Sequence, residues 1–310
     1  MWLWGGYDDK DGAFMNHTDD IQTNDTGASL QDHQQALYTL LREFDRVCRA
    51  LEIPYFLYAG SLLGAVRHQA IIPWDDDLDV MMLREDYERF LREADGILDR
   101  EKFFLQKEFS DHWPMFFSKL RLNNTACLEK YHPRDLKCHL GVYMDIFPCD
   151  NARESALGWK MQFACSKVVI AKSLYARGYD TDSRKKKLVM QLCRLLPQAP
   201  FRKFCQYRRG SGSGRVHCFL GAASSMEKSV FPRAWFRDSV ALPLGDRAYP
   251  APVEYGKLLT VLYGDYMRIP EESERRCKVH TFLVDLNRSY TAYEDCWDQV
   301  VFTDFTRSIR

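Results

Sequence analysis

The sequence predicts an α+β fold, a mixed sheet with flanking helices followed by a mainly helical C-terminal part, and three observations predict it. Leu37, Leu40, Leu41, Phe44 and Val47, with Leu51, recur at helical spacing and stop before Pro54. Two short apolar runs, Asp77 to Leu83 and Val142 to Phe147, carry acids inside otherwise hydrophobic sequence and read as mostly buried strands. Residues 151 to 209 read as mainly helical.

Taken in order, residues 1 to 29 are polar, acidic and Gly-rich without periodicity, and read as disordered or tag-derived. The helix before Pro54 leads to a strand over Tyr55 to Ala59, which delivers Gly60 and Ser61 to a helix running to His68. The acidic strand over Asp77 to Leu83 follows, then a helix from Arg84 to Leu98. Strands near Phe103–Gln106, Met115–Leu122 and Val142–Phe147 complete a sheet within residues 30–150. Residues 151–310 form the second region. Within it Gly210-Ser211-Gly212-Ser213-Gly214 is regular enough to read as an engineered splice for a longer loop.

A chain of 310 residues, 46% hydrophobic and 14% aromatic, can bury a substantial core. No stretch approaches the roughly 20 apolar residues of a membrane span, and no signal peptide opens the chain. Ten cysteines are scattered without a Cys-x-x-Cys pair, as suits reduced, buried thiols. Both features point to the cytoplasm. The sequons at Asn16, Asn24, Asn123 and Asn287 pull toward the alternative, a secretory lumen with an anchor removed. Cys127, His132, Cys138, His139 and Cys149 can be drawn as a zinc site, but their spacing is irregular.

The chain balances 43 basic against 43 acidic residues, yet residues 151–216 hold fifteen Lys or Arg and only three Asp or Glu. Lys185, Lys186 and Lys187 precede an apolar stripe of Leu188, Val189, Leu192, Leu195 and Leu196. Such a segment is either a packed helix with a solvated basic face or a surface for anionic membrane or a polyphosphate acceptor.

Chemistry concentrates between Gly60 and Val80. Asp75, Asp76, Asp77 and Asp79 crowd one segment, and on a strand Asp77 and Asp79 share a face about 7 Å apart. Neighbouring carboxylates resist ionisation unless a cation lies between them, and an all-oxygen set suits Mg2+ or Mn2+. Asp145, alone in the apolar run from Val142 to Phe147, is the third candidate metal ligand and catalytic carboxylate. Gly60 and Ser61, opening a helix, offer backbone N–H groups and a hydroxyl to a phosphate. Metal plus phosphate cradle points to phosphoryl or nucleotidyl transfer.

Gly-Ser-Leu-Leu-Gly-Ala-Val-Arg-His (Gly60 to His68) followed by Ile-Pro-Trp-Asp-Asp-Asp-Leu-Asp (Ile72 to Asp79) resembles the signature of the LicD family, to which fukutin-type transferases belong. Arg84-Glu85-Asp86-Tyr87, Lys119-Leu120-Arg121 through Thr125, Met144 to Pro148 and Leu262 to Met267 agree, so the resemblance spans about Gln34 to His280. It implies a nucleotidyltransferase-like core over residues 30–150. It also implies transfer of a phospho-alcohol, phosphocholine or ribitol phosphate, from a CDP-activated donor to a glycan or teichoic-acid-like polymer, with no nucleic-acid partner. Asp77, Asp79 and Asp145 are then the metal ligands. Arg67, His68, Lys119 and Arg121 are candidates for the donor diphosphate, with ion pairs to Asp75 or Asp76 as their structural alternative. Asp265 either orients substrate or caps a turn. Phosphocholine is the first expectation, because Tyr55, Tyr58, Trp74, Tyr143, Tyr263 and Tyr266 supply rings for a quaternary ammonium. CDP-ribitol is the alternative donor. A nucleotide-transferring enzyme and an inactive nucleotide- or glycan-binding module are the rivals from other classes.

Overall fold

The computed structural model describes residues 28–294, apart from 111, 130–136, 180, 182, 208–213, 222–224 and 273–280. The N-terminal segment through residue 27 and most of the Gly210–Gly214 run read as a splice therefore lie outside the described residues, as do Asn16, Asn24, His132, Cys277 and Cys296.

Helix α1 (Leu30–Ala50) starts at a reciprocal cap: Ser29 Oγ accepts the Asp32 N–H and an Asp32 carboxylate oxygen accepts the Ser29 N–H. Its stripe of Leu37, Leu40, Leu41, Phe44 and Val47 is fully buried, as its spacing predicts. Strand β1 (Phe56–Leu57) leads to α2 (Ala59–Arg67), and β2 (Asp79–Leu83) to α3 (Arg84–Glu93). Then come β3 (Phe103–Gln106), β4 (Ser118–Leu122), β5 (Ala126–Glu129) and β6 (Tyr143–Asn151). The main sheet runs β1-β2-β6-β4-β3, mixed because β2 and β6 are parallel and the other neighbours antiparallel. Parallel pairing needs a crossover, and α3 with β3 to β5 supplies it.

Register decides where the charges fall. Lys119 on β4 lies opposite Asp145 on β6, and Asp145 lies opposite Asp79 on β2, so one ammonium and two carboxylates form a row across three strands. Asp77 precedes β2 rather than sitting on it, which corrects the expectation of a strand beginning there. Strand β6 passes residue 150 without a break. Its end is clamped to the start of α3 by Arg84, which donates two hydrogen bonds to Asp150 and one to Glu108.

Helices α4 (Ala156–Ala176), α5 (Arg184–Arg194) and α6 (Gln198–Cys205) make the helical part expected after residue 151. Gln162 of α4 seals it, donating to the carbonyls of Asn151 and Cys205. Beyond Cys205 the region is not only helical. Strands β7 (Arg215–His217) and β8 (Val230–Pro232) extend the sheet from the end of β6, and β9 (Ser239–Leu244) and β10 (Arg247–Pro252) form a hairpin. Helix α7 (Tyr255–Tyr263) follows, and β11 (Thr281–Asp285) pairs with β5. On α5 only Met190 is buried; Leu188, Leu192 and Leu195 are exposed, so the apolar stripe faces outward. Among the described residues, no helix is long and apolar enough to cross a membrane.

Candidate active site

The site forms where α2 begins beside β2 and β6. Tyr58 ends β1 extended, and Ala59 turns the chain at φ +44°, a left-handed conformation uncommon outside glycine. The turn brings Gly60 and Ser61 against the acidic segment. A Cβ on Gly60 would stand 2.8 Å from Asp75 Oδ2, so a larger residue there would have to displace that carboxylate. Ser61 Oγ accepts the Asp79 N–H at 2.7 Å and is buried, so this hydroxyl already fastens β2 to α2.

The four aspartates part company. Asp76 turns away from the site: one carboxylate oxygen accepts the Thr281 N–H of β11 at 2.8 Å, and its carbonyl accepts from His33. Asp75, Asp77 and Asp79 keep to the site side. Gln34 of α1 secures the loop before them, donating to the carbonyls of Ile72 and Asp75. Burial, then the charges of Asp77 and Asp76, push the Asp75 carboxyl well up; burial, then Asp77 and Asp145, do the same to Asp79. Negative charge is thus undercompensated on the β2 side of the row.

The β6 side is different. Lys119, 2% exposed, places Nζ 2.7 Å from Asp145 Oδ1 and 3.6 Å from Glu129 Oε1, over the ring of Tyr143. Arg177 and the Tyr143 hydroxyl complete the set around Glu129, holding its carboxyl well down against burial. Burial raises the Asp145 carboxyl and Lys119 opposes the rise.

Among the described residues, no three His, Cys, Asp or Glu side chains converge closely enough to cage an ion unaided. The reason is visible in the pairing: Asp145 leans on Lys119, and Asp75 meets Asp77. Two or three carboxylates from one side still fit a hard divalent cation, which commonly keeps waters and takes substrate phosphate as its remaining ligands. Asp77 and Asp79 can hold such an ion, with Asp75 and Asp145 flanking.

The remaining candidates lie elsewhere. Arg121 is buried and donates to Gln106 and the Gly141 carbonyl. Arg67 and His68 sit at the far end of α2, roughly 10 Å from Gly60 by helical rise. There Arg67 donates to the carbonyls of Tyr266 and Arg268, and His68 meets Trp74 edge-on. Asp265 is exposed in the turn after α7, its carbonyl accepting the Arg268 N–H. Its neighbour Tyr263 does reach the site, its phenol pushed well up by burial and by Asp79, Asp75 and Asp77. The zinc arrangement does not form among the described residues, since His139 is held between Asn123 and the Gly141 N–H.

Residues 52–156 match the family model for the LicD/FKTN/FKRP nucleotidyltransferase domain. The chain carries a LicD-family domain. The match takes in α2, the acidic segment and β6, and hence every carboxylate of the site. Lipopolysaccharide cholinephosphotransferase LicD of Haemophilus influenzae is 24% identical over 277 residues, 80% of this chain and 95% of that protein. Ribitol 5-phosphate transferase FKRP of Homo sapiens is 40% identical over 77 residues, 24% of this chain and 16% of that protein. An uncharacterized protein of Rickettsia prowazekii is 47% identical over 51 residues, 16% of this chain. The higher identities are confined to short stretches, and the likeness over most of the chain is to the LicD protein.

Proposed function

We propose that this protein transfers phosphocholine from CDP-choline to a hydroxyl of a glycan or teichoic-acid-like polymer, using Mg2+ or Mn2+ at Asp77 and Asp79. The undercompensated carboxylates at the start of α2 carry the reading, because a divalent cation would relieve the negative charge that the chain leaves unbalanced and would in turn hold a donor diphosphate. A bound divalent ion supplies charge neutralisation at the donor phosphates. The acceptor oxygen attacks the phosphorus bearing choline, the bond to CMP breaks, and CMP leaves with the electron pair. The hydroxyl proton passes to a site carboxylate. Gly60 leaves room for the Asp75 carboxylate, Ser61 fastens β2 to α2, and Lys119 opposes the burial that raises the Asp145 carboxyl. Choline is placed first because likeness to the cholinephosphotransferase spans 80% of the chain, whereas likeness to the ribitol-phosphate enzyme spans 24%. CDP-ribitol is the second reading.

Melting curves with CDP-choline, CDP-ribitol, UDP-glucose and ATP, each with magnesium, test it. A ligand at 100 times its dissociation constant stabilises by about 2.7 kcal/mol, so a CDP-alcohol should raise the midpoint by several degrees and release CMP on turnover. Stabilisation by ATP or the UDP-sugar alone would refute the donor assignment.

We place the acceptor at an anionic surface, on the strength of the exposed leucines of α5 beside Lys185, Lys186 and Lys187. Sedimentation with liposomes containing phosphatidylserine should show binding that falls steeply between about 20 and 150 mM salt. Replacing Leu188, Leu192 and Leu195 with Gln should abolish it. Equal binding to neutral liposomes, or none at all, would contradict this surface.

A further inference from the structure

An open groove of about 760 Å3 lies along α7, lined by Trp235, Tyr255 and Tyr266 with Glu254, Lys257 and Thr260. We infer that this groove binds a neutral saccharide segment of the acceptor, a reading that rests on the proposed transfer to a glycan hydroxyl.

Three partly buried aromatic side chains line one open groove, and aromatic rings with polar tips suit sugar rings that are apolar on their faces and hydroxylated at their edges. Charge narrows the choice. Lys257 Nζ lies 3.0 Å from Glu254 Oε1, so the two formal charges in the lining cancel. A quaternary ammonium would want an unneutralised carboxylate beside the rings, and a polyphosphate would want more than one lysine. Neither is present in the lining. A neutral ligand that stacks and accepts hydrogen bonds is what the lining leaves.

Position supplies the second argument. Helix α7 packs against α2, the helix that opens at Gly60, and Tyr263 at its end is three residues on from Thr260 on the same face. From Gly256 in the groove to Tyr263 at the end of α7 the helix rises about 10 Å. Arg67, at the far end of α2, donates to the Tyr266 carbonyl at 2.9 Å and ties the groove wall to the helix that opens at Gly60. A chain of sugars seated on the groove therefore leads toward Asp77 and Asp79.

The test is direct binding of the full chain to an array of fluorescent neutral oligosaccharides of hexose and N-acetylhexosamine, with and without CMP. Wild-type protein should retain at least one of them. Trp235→Ala and Gly256→Leu should each weaken it at least tenfold, the latter at unchanged melting temperature. Gly256→Leu guards against misfolding, since a Cβ there meets only Tyr266 Oη at 3.6 Å and the bulk enters the groove. If wild type retains no neutral saccharide, or Gly256→Leu binds as wild type does, the inference is wrong. Displacement of the saccharide by CMP would give the groove to the nucleotide and also overturn it. CDP-choline cleavage by wild type is followed in parallel. Saccharide binding lost in both variants, with no CDP-alcohol cleaved by wild type, leaves the groove standing and removes the phosphotransfer reading.

Discussion

Asp79→Asn is expected to reduce turnover about 10³-fold, roughly 4 kcal/mol of transition-state stabilisation, while making the metal-free protein more stable at neutral pH. Both effects follow from one fact. Asp79 is buried among Asp77 and Asp145 with its carboxyl pushed well up, so its ionised form opposes folding until a cation arrives. An acid raised in the folded state adds stability below its unfolded pKa, near 4, and loses it as pH climbs through the folded value. The variant's advantage in EDTA should therefore be absent at about pH 3.5 and reach at least about 2 °C at pH 7, the response to roughly 1 kcal/mol. Magnesium should narrow the gap for wild type and not for the variant. Asp76→Ala is the control, because that carboxylate accepts the Thr281 N–H of β11 and points away from Asp77 and Asp79. It should lower stability by about 1–3 kcal/mol with specific activity of the folded fraction retained. Asp79→Asn within tenfold of wild-type turnover, or equal loss from both variants, would sink the assignment.

That contrast between adjacent aspartates marks how far the sequence could be read. The acidic segment, the buried stripe of α1 and the acid in β6 were legible because each is a local pattern: acids in apolar surroundings, and leucines at helical spacing. What Asp76 binds was not legible, since its partner is the backbone of β11, 205 residues away. Lys119 and Arg121 share the same limit. Two residues apart on a strand, they are drawn to one face, and the partners there are Asp145, Glu129, Gln106 and Gly141 from other segments. His33 and Gln34 read only as helix residues, yet they hold the acidic loop by its carbonyls. Two missed features had a local signal. Asp75, Asp77 and Asp79 recur at every second position, and this parity separates them from Asp76. The β9–β10 hairpin turns on Gly245-Asp246 with Gly245 at φ +71°, a recognised two-residue turn, but the prolines inside both strands obscured the alternation.

The row from Lys119 to Asp79 also predicts the largest stability effect in the molecule. Lys119→Met should destabilise the fold by about 3–5 kcal/mol, because it strands buried carboxylates rather than merely removing an attraction. The burden falls on Asp145. Glu129 keeps Arg177 and the Tyr143 hydroxyl, whereas for Asp145 Lys119 is the basic neighbour at 2.7 Å. Burial already raises the Asp145 carboxyl and Lys119 is what opposes the rise, so removing the ammonium favours the protonated acid. The cost should therefore shrink as pH falls from 7 toward 5, where Asp145 in the variant takes up its proton on folding. Neutralising the partner should have the same effect at constant pH. Lys119→Met combined with Asp145→Asn should recover at least about 2 kcal/mol relative to the sum of the single changes, read from urea unfolding midpoints at equal slope. Additive losses across that cycle, or a penalty independent of pH, would mean that Lys119 matters only as a filler among Trp113, Phe117 and Tyr143 and carries no charge for the site. Coupling is the expected result, because the strand register leaves the ammonium and the carboxylate opposite each other with the core closed around both.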